Sequence, residues 1–314
     1  MCSWLPRWVK PPYPALYQSG SAAFRSSGNT RVPMFVSLGM NALNIAGNAV
    51  CIFGLHMGVV GVALPTLIAR AAAAVTVLML LQRSSGPVRI RSLRQFRPDG
   101  AIIRRMLSIG IPNSVESSLF NVGKILLQSL VSTLGTPSIA GFAVAGNLAT
   151  YLYLPGNACG AAMTTVVSQC VGAGKPEQAR GYAKKLILLN YVFLIFICAA
   201  MIAFRGFWVG CYQLSELSSY YAQNLILSHS LAMILWPAGF LFPYYFRATG
   251  RAVFTMAVSL ITMAACRIAL AYLFVKGFHQ DVLWIWYAMY ADWIVRVIVY
   301  LTAFKKDKLK DRRT

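Results

Sequence analysis

The stretch Ser108–Gly135, SIGIPNSVESSLFNVGKILLQSLVSTLG, decides how this chain is read. It is long enough to cross a bilayer as one helix, since about 20 apolar residues, each rising about 1.5 Å, span roughly 30 Å of hydrocarbon. Yet it carries a carboxylate, Glu116, and an ammonium, Lys124, well inside its limits. Charges at membrane depth are costly, so they face a bundle interior or a wet cavity. The separation of the two charges amounts to about 12 Å of rise and roughly 80° of rotation, so they do not meet on their own helix. Glu116 is therefore expected to be open to a ligand that comes and goes. The competing reading is a permanent hydrogen bond to a neighbouring helix.

Working outward, 58% of the 314 residues are hydrophobic and only 12% are charged. A soluble domain carries about twice that charge. Long uncharged runs recur along the chain, which makes this an all-α, polytopic helical membrane protein. Its seven cysteines show no C-x-x-C spacing and its three histidines no metal-ligand spacing, so neither a disulfide framework nor a metal site is expected. No motif of hydrolytic or metalloenzyme chemistry is present, and an enzyme is not expected.

The apolar runs give Pro14–Ala23 as the tail of a span, then full spans at Pro33–Leu55 and Gly58–Leu81. A basic linker with seven arginines follows, Arg83–Arg105. Six further spans are expected at Met106–Leu134, Ile139–Val171, Leu186–Phe204, Tyr221–Tyr245, Ala252–Val275 and Val282–Phe304. Gly172–Lys185 reads as a polar loop, and Pro155 as a kink. The net charge of +21 would suggest nucleic acid in a soluble chain. Here nearly all of it sits in alternate loops, the linker and the tail, while the opposite loops hold only Arg205 and Lys276. Such a bias places the linker and the C-terminus in the cytoplasm and removes nucleic acid as a partner.

Phe24-Arg25-Ser26-Ser27-Gly28 recurs as Phe246-Arg247-Ala248-Thr249-Gly250, and at the same offset Val36-Ser37-Leu38 recurs as Val258-Ser259-Leu260. Six spans separate the copies, an even number, so both copies fall on one membrane face. Parallel repeats of this kind occur in secondary transporters. Four spans precede the second copy after the linker and only part of one precedes the first, so the chain is expected to lack its beginning.

GIPNSVESSLFNVGK, VGAGKPEQAR, FRSSGNTRVPM, FRATGRAVFTM and YADWIVR together resemble the multidrug and toxic compound extrusion transporters. The resemblance implies two six-helix lobes joined by a cytoplasmic linker. Residues 1–82 would then be the remnant of the first lobe, 83–105 the linker and 106–314 a complete second lobe. It also implies a multi-pass plasma-membrane antiporter that exports cationic amphipathic compounds in exchange for Na⁺ or H⁺, with no other cofactor. Its partners would be the lipid bilayer, small organic cations and the missing N-terminal half. The family carboxylate maps onto Glu116. The helix that carries a second acid in some members reads Leu225–Tyr245 here, with His229 in place of any acid, so the coupling ion stays open.

Asn113, Asn121, Lys124 and Asn44 are the further candidates for ion or substrate binding. Asn113 lies nearly on the Glu116 face. Asn44 belongs to a stripe with Asn41 and Asn48 that either lines a cavity or packs on a neighbour. Asp292 and Arg296, spaced i, i+4, read as a structural ion pair that Arg267 could join. Lys124, Arg267 and Arg296 also keep open a lipid-linked saccharide flippase of the same superfamily, whose pyrophosphate would need cations. A non-functional truncated fragment is the remaining alternative.

Overall fold

The computed structural model describes residues 13–83 and 99–307. Most of the basic linker, Arg7, Lys10 and the tail beyond Asp307 lie outside the described residues. All regular structure within them is helical. The chain divides into two compact units at Pro98/Asp99.

The first unit holds α1 (Tyr13–Ser26), α2 (Arg31–Gly54) and α3 (Val60–Arg83). Phe24, Val77 and Leu81 form its small buried cluster. Gly20 lets α1 approach α3 closely, because a Cβ there would stand 2.3 Å from a Val77 methyl.

In the second unit α4 (Gly100–Ser132) starts earlier than the apolar run suggests. Asp99 caps it, its carboxylate accepting from the Ala101 and Ile102 amides at 2.8 and 3.3 Å. Arg104 and Arg105 are therefore helical rather than linker. Next come α5 (Thr136–Gly172) and α6 (Pro176–Ala203), so the polar loop expected over Gly172–Lys185 shrinks to residues 173–175. The reason is local: Pro176 opens α6 with its φ already helical, and Glu177 meets the positive end of the helix. Helix α5 runs on through Pro155 without interruption.

A short α7 (Arg205–Gly210) leads to a broken span: α8 (Glu216–Ala232), α9 (Trp236–Phe240) and α10 (Phe242–Ala248). The sequence suggests one continuous helix, Tyr221–Tyr245; the structure bends by 72° between Ala232 and Trp236. Pro237 and Pro243 cause this, each removing a backbone donor and each sitting in the first turn of a new short helix. The unit closes with α11 (Ala252–Gly277), which contains π-helical turns at Met263–Ala269 and Leu273–Gly277, and α12 (Leu283–Lys306).

Among the described residues, five helices are long and apolar enough to cross a membrane, six if the bent pair counts as one span. Helices α4 and α5, though longest at 33 and 37 residues, fall short of that apolarity because polar and small residues interrupt them. The distribution of side chains is that of a protein in lipid. Ile125, Leu188, Ile195 and Phe196 face outward, whereas Asp292, Arg296, His229 and Ser259 are buried inside the bundle.

The two copies of the sequence repeat build the same turn. Gly28 and Gly250 adopt φ of +84° and +83°, where a side chain would be strained. In the first copy the Asn29 amide donates to Phe24 and that of Gly28 to Arg25; in the second, Arg251 donates to Phe246 and Gly250 to Arg247. Both are Schellman caps, and Gly174 ends α5 with a third.

Candidate transport site in the second helical unit

Trp236 and Tyr244 reach the interior because α5 presents Gly156 and Gly160 to them. A Cβ on Gly156 would stand 1.9 Å from the Trp236 ring, and one on Gly160 2.5 Å from the Tyr244 ring. Against these rings lies a cavity of about 330 Å³. Helix α4 contributes Glu116, Phe120 and Asn121 to its wall. The broken span contributes Trp236, Phe240, Tyr244 and Arg247, and α11 and α12 add Ser259 and Arg296. The break after Ala232 thus turns an aromatic segment toward the carboxylate of α4. A wider, open groove of about 600 Å³ beside Arg205 and Glu216 contains none of the expected site residues.

Glu116 is half-buried, and its Oε2 is buried with no hydrogen-bond partner. No salt bridge reaches it among the described residues, whose ion pairs are Arg251–Asp307 and Asp292–Arg296. The Oδ1 of Asn113 accepts from the Arg247 guanidinium. Arg247 also donates to the Pro243 carbonyl at 3.2 Å and lies 4.9 Å over the Tyr244 ring, so Asn113 fixes a cation on the cavity wall. Lys124 is outside the cavity lining, its Nζ 5.2 Å from the centre of the Phe120 ring. Asn44 lies in the first unit, where its Nδ2 donates to Thr66 at 3.0 Å and its Oδ1 accepts from Asn48. That side chain is used in packing α2 on α3.

Asp292 and Arg296 lie 2.7 Å apart and are both buried. Arg296 also donates to the Ser259 hydroxyl and carbonyl, each at 3.0 Å, and lies 5.3 Å over Phe240. Arg267 does not join them. Its guanidinium stands 5.3 Å over Phe120, and its buried Nε has no partner. It is carried by the π-helical turn Met263–Ala269, which packs against both α4 and α12.

Two arrangements are invisible to spacing in the sequence. The Tyr153 hydroxyl meets His229 Nε2 at 2.8 Å inside a box of aromatic rings that includes Trp286, Tyr290 and Trp293. Asp307 accepts from Arg251 at 2.6 Å and from the Tyr245 hydroxyl at 3.1 Å, while Arg180 donates to the Asp307 and Phe304 carbonyls. An isolated acid among the lysines at the end of α12 was the available signal for the second.

Fold and cavity define a polytopic helical membrane protein with ionisable groups gathered inside its bundle. The MatE family model matches residues 112–273, more than half of the chain, and the chain belongs to that family. It is 26% identical over 294 residues to the Bacillus subtilis transporter YisQ, covering 91% of this chain and 64% of that protein. It is likewise 26% identical over 302 residues to "Probable multidrug resistance protein NorM" of Thermotoga maritima, covering 93% and 63%. The chain thus spans just under two thirds of the length of these relatives. An outward-facing multidrug resistance MATE family transporter superimposes with a TM-score of 0.84 at 20% identity, covering 93% of this chain and 67% of that one.

Proposed function

We propose that the chain serves a secondary active exporter of cationic amphipathic compounds, coupled to Na⁺ or H⁺ by antiport at Glu116. The observation that carries this reading is the unpartnered Oε2 of Glu116 at the wall of an aromatic cavity. A carboxylate without a fixed partner can hold an inward-moving ion in one half of the cycle and yield to a cationic compound in the other. Trp236, Phe240 and Tyr244 offer ring faces that attract such compounds without demanding one shape. Membership of the MatE family and the name of the Thermotoga maritima relative support export as the task. The excess of Lys and Arg in alternate loops supports a multi-pass plasma-membrane protein with linker and C-terminus cytoplasmic.

A lipid-linked saccharide flippase is the second reading, favoured by Arg247 and Arg296 on the cavity wall. It is the weaker one, because Asp292 and Ser259 already occupy Arg296, and Asn113 and Pro243 occupy Arg247. The test is Glu116→Gln, which keeps size and hydrogen bonding and removes the charge. Efflux of a cationic dye is expected to collapse in cells while the amount of protein in the membrane stays unchanged. Normal dye efflux would remove Glu116 from the mechanism.

A further inference from the structure

Among the described acids, only Glu116 and Asp292 lie in the middle of helices of the second unit, away from the first turns that hold Glu177 and Glu216. Four cations converge on the same region: Lys124, Arg247, Arg267 and Arg296. Asp292 gives its Oδ1 to Arg296, and no cation reaches Glu116 within ion-pair distance among the described residues. The helices around the cavity therefore carry an excess of positive charge, with Lys124 at an exposed position on α4.

That excess concentrates on one ring. Lys124 Nζ and the Arg267 guanidinium lie 5.2 and 5.3 Å from the centre of Phe120, and neither has a carboxylate partner among the described residues. A cation over a ring gains about 0.5–1 kcal/mol where exposed, as Lys124 is, and about 2 kcal/mol or more when desolvated. An unpaired Lys or Arg at membrane depth costs about 2.5–3.5 kcal/mol on the lowest scale. Phe120 thus cannot replace a counter-charge for two cations. The backbone nevertheless holds them together. Arg267 sits in the π-helical turn Met263–Ala269, a feature frequent at functional sites. That turn approaches α4 so closely at Gly123 that a Cβ there would stand 2.1 Å from Met263 Cε.

We propose that Lys124 and Arg267, both close to the Phe120 ring, form an anion-binding subsite for a ligand carrying a phosphate monoester or similar oxyanion on an apolar body. The guanidinium supplies paired N–H donors with its Nε free, the ammonium adds a second charge, and the ring seats the apolar part. Glu116, two helical turns away on α4, stands at the opposite end of the Glu116–Phe120–Lys124 stripe. A bound molecule is thereby offered a negative pole at one end and a positive pole at the other.

The test uses the purified chain in nanodiscs of phosphatidylcholine, with phenyl phosphate as probe and benzyltrimethylammonium as its charge-reversed control, both followed by calorimetry. Phenyl phosphate is expected to bind, and Lys124→Gln and Arg267→Gln each to weaken it about tenfold, with Arg267→Lys recovering part of the loss. The control cation is not weakened in Lys124→Gln, because that change removes a charge that repels it. If Arg267→Gln fails to insert, Lys124→Gln, at an exposed position, decides alone. Nanodiscs enriched in phosphatidylglycerol separate the two sources of phosphate. Competition by that lipid in the wild type, lost in Lys124→Gln, assigns the subsite to a headgroup, and no competition assigns it to a soluble ligand. Absence of phenyl phosphate binding, or equal binding by both Gln variants, overturns the proposal. Dye export is a separate readout that depends on Glu116, so either reading can fail without the other.

Discussion

Arg296 is the most heavily engaged charge in the bundle, held by Asp292, two groups of Ser259 and the face of Phe240. Removing Asp292's charge leaves a guanidinium buried without its counter-ion, which costs about 3–5 kcal/mol. Asp292→Asn is therefore expected to lower the amount of folded protein and its melting temperature in detergent. Glu116→Gln breaks no such bond and is expected to leave both unchanged, so the pair separates a structural acid from an exchanging one. Melting curves and membrane protein levels check this; equal loss in both variants would contradict it. The difference in pairing was legible in the sequence because Asp292 and Arg296 stand i, i+4, whereas Glu116 and Lys124 diverge around their helix. The Asn113–Arg247 bond was not legible: 134 residues separate the partners, and only the bend before Trp236 brings them together.

At the scale of elements, runs of apolar residues reveal where helices are but not how closely they approach. Helix α5 carries both kinds of glycine. Gly156 is a seat for Trp236, while Gly146 has nothing within 4 Å of its would-be Cβ. Gly156→Ala drives a methyl into a large ring and is expected to cost about 1–3 kcal/mol through overpacking, and to displace Trp236 from the cavity wall. Gly146→Ala meets open space and is expected to stabilise the helix, by up to about 1 kcal/mol. Thermal unfolding of the two variants reads opposite signs. The break between α8 and α9 was hidden for a related reason. Pro237 and Pro243 announce that a helix is disturbed, but the angle of 72° is set by where Trp236 and Tyr244 find room, which is against those α5 glycines.

On the scale of the molecule, the second unit holds a few buried polar groups within an apolar core, and its helix ends are tied by one acid. Asp307 joins the end of α12 to the start of α11 through Arg251 and to α10 through Tyr245, and its own carbonyl receives Arg180 from α6. Four elements distant in sequence thus meet at a residue that the basic tail conceals, since charge counting treats that tail only as a topological signal. Its carboxylate is fully buried while Arg251 is a quarter exposed, so solvent screens part of the pair. Asp307→Asn keeps one acceptor for Tyr245 or Arg251 but cannot hold both with charge, and the loss is expected to be about 1–3 kcal/mol. Its effect should be local rather than global. Hydrogen exchange is expected to quicken at the last turn of α12, the first turn of α6 and the Thr249–Arg251 cap, while Glu116 and the cavity wall keep their protection. Uniformly faster exchange across α4 and the broken span would show that this tie supports the whole unit and not its helix ends alone.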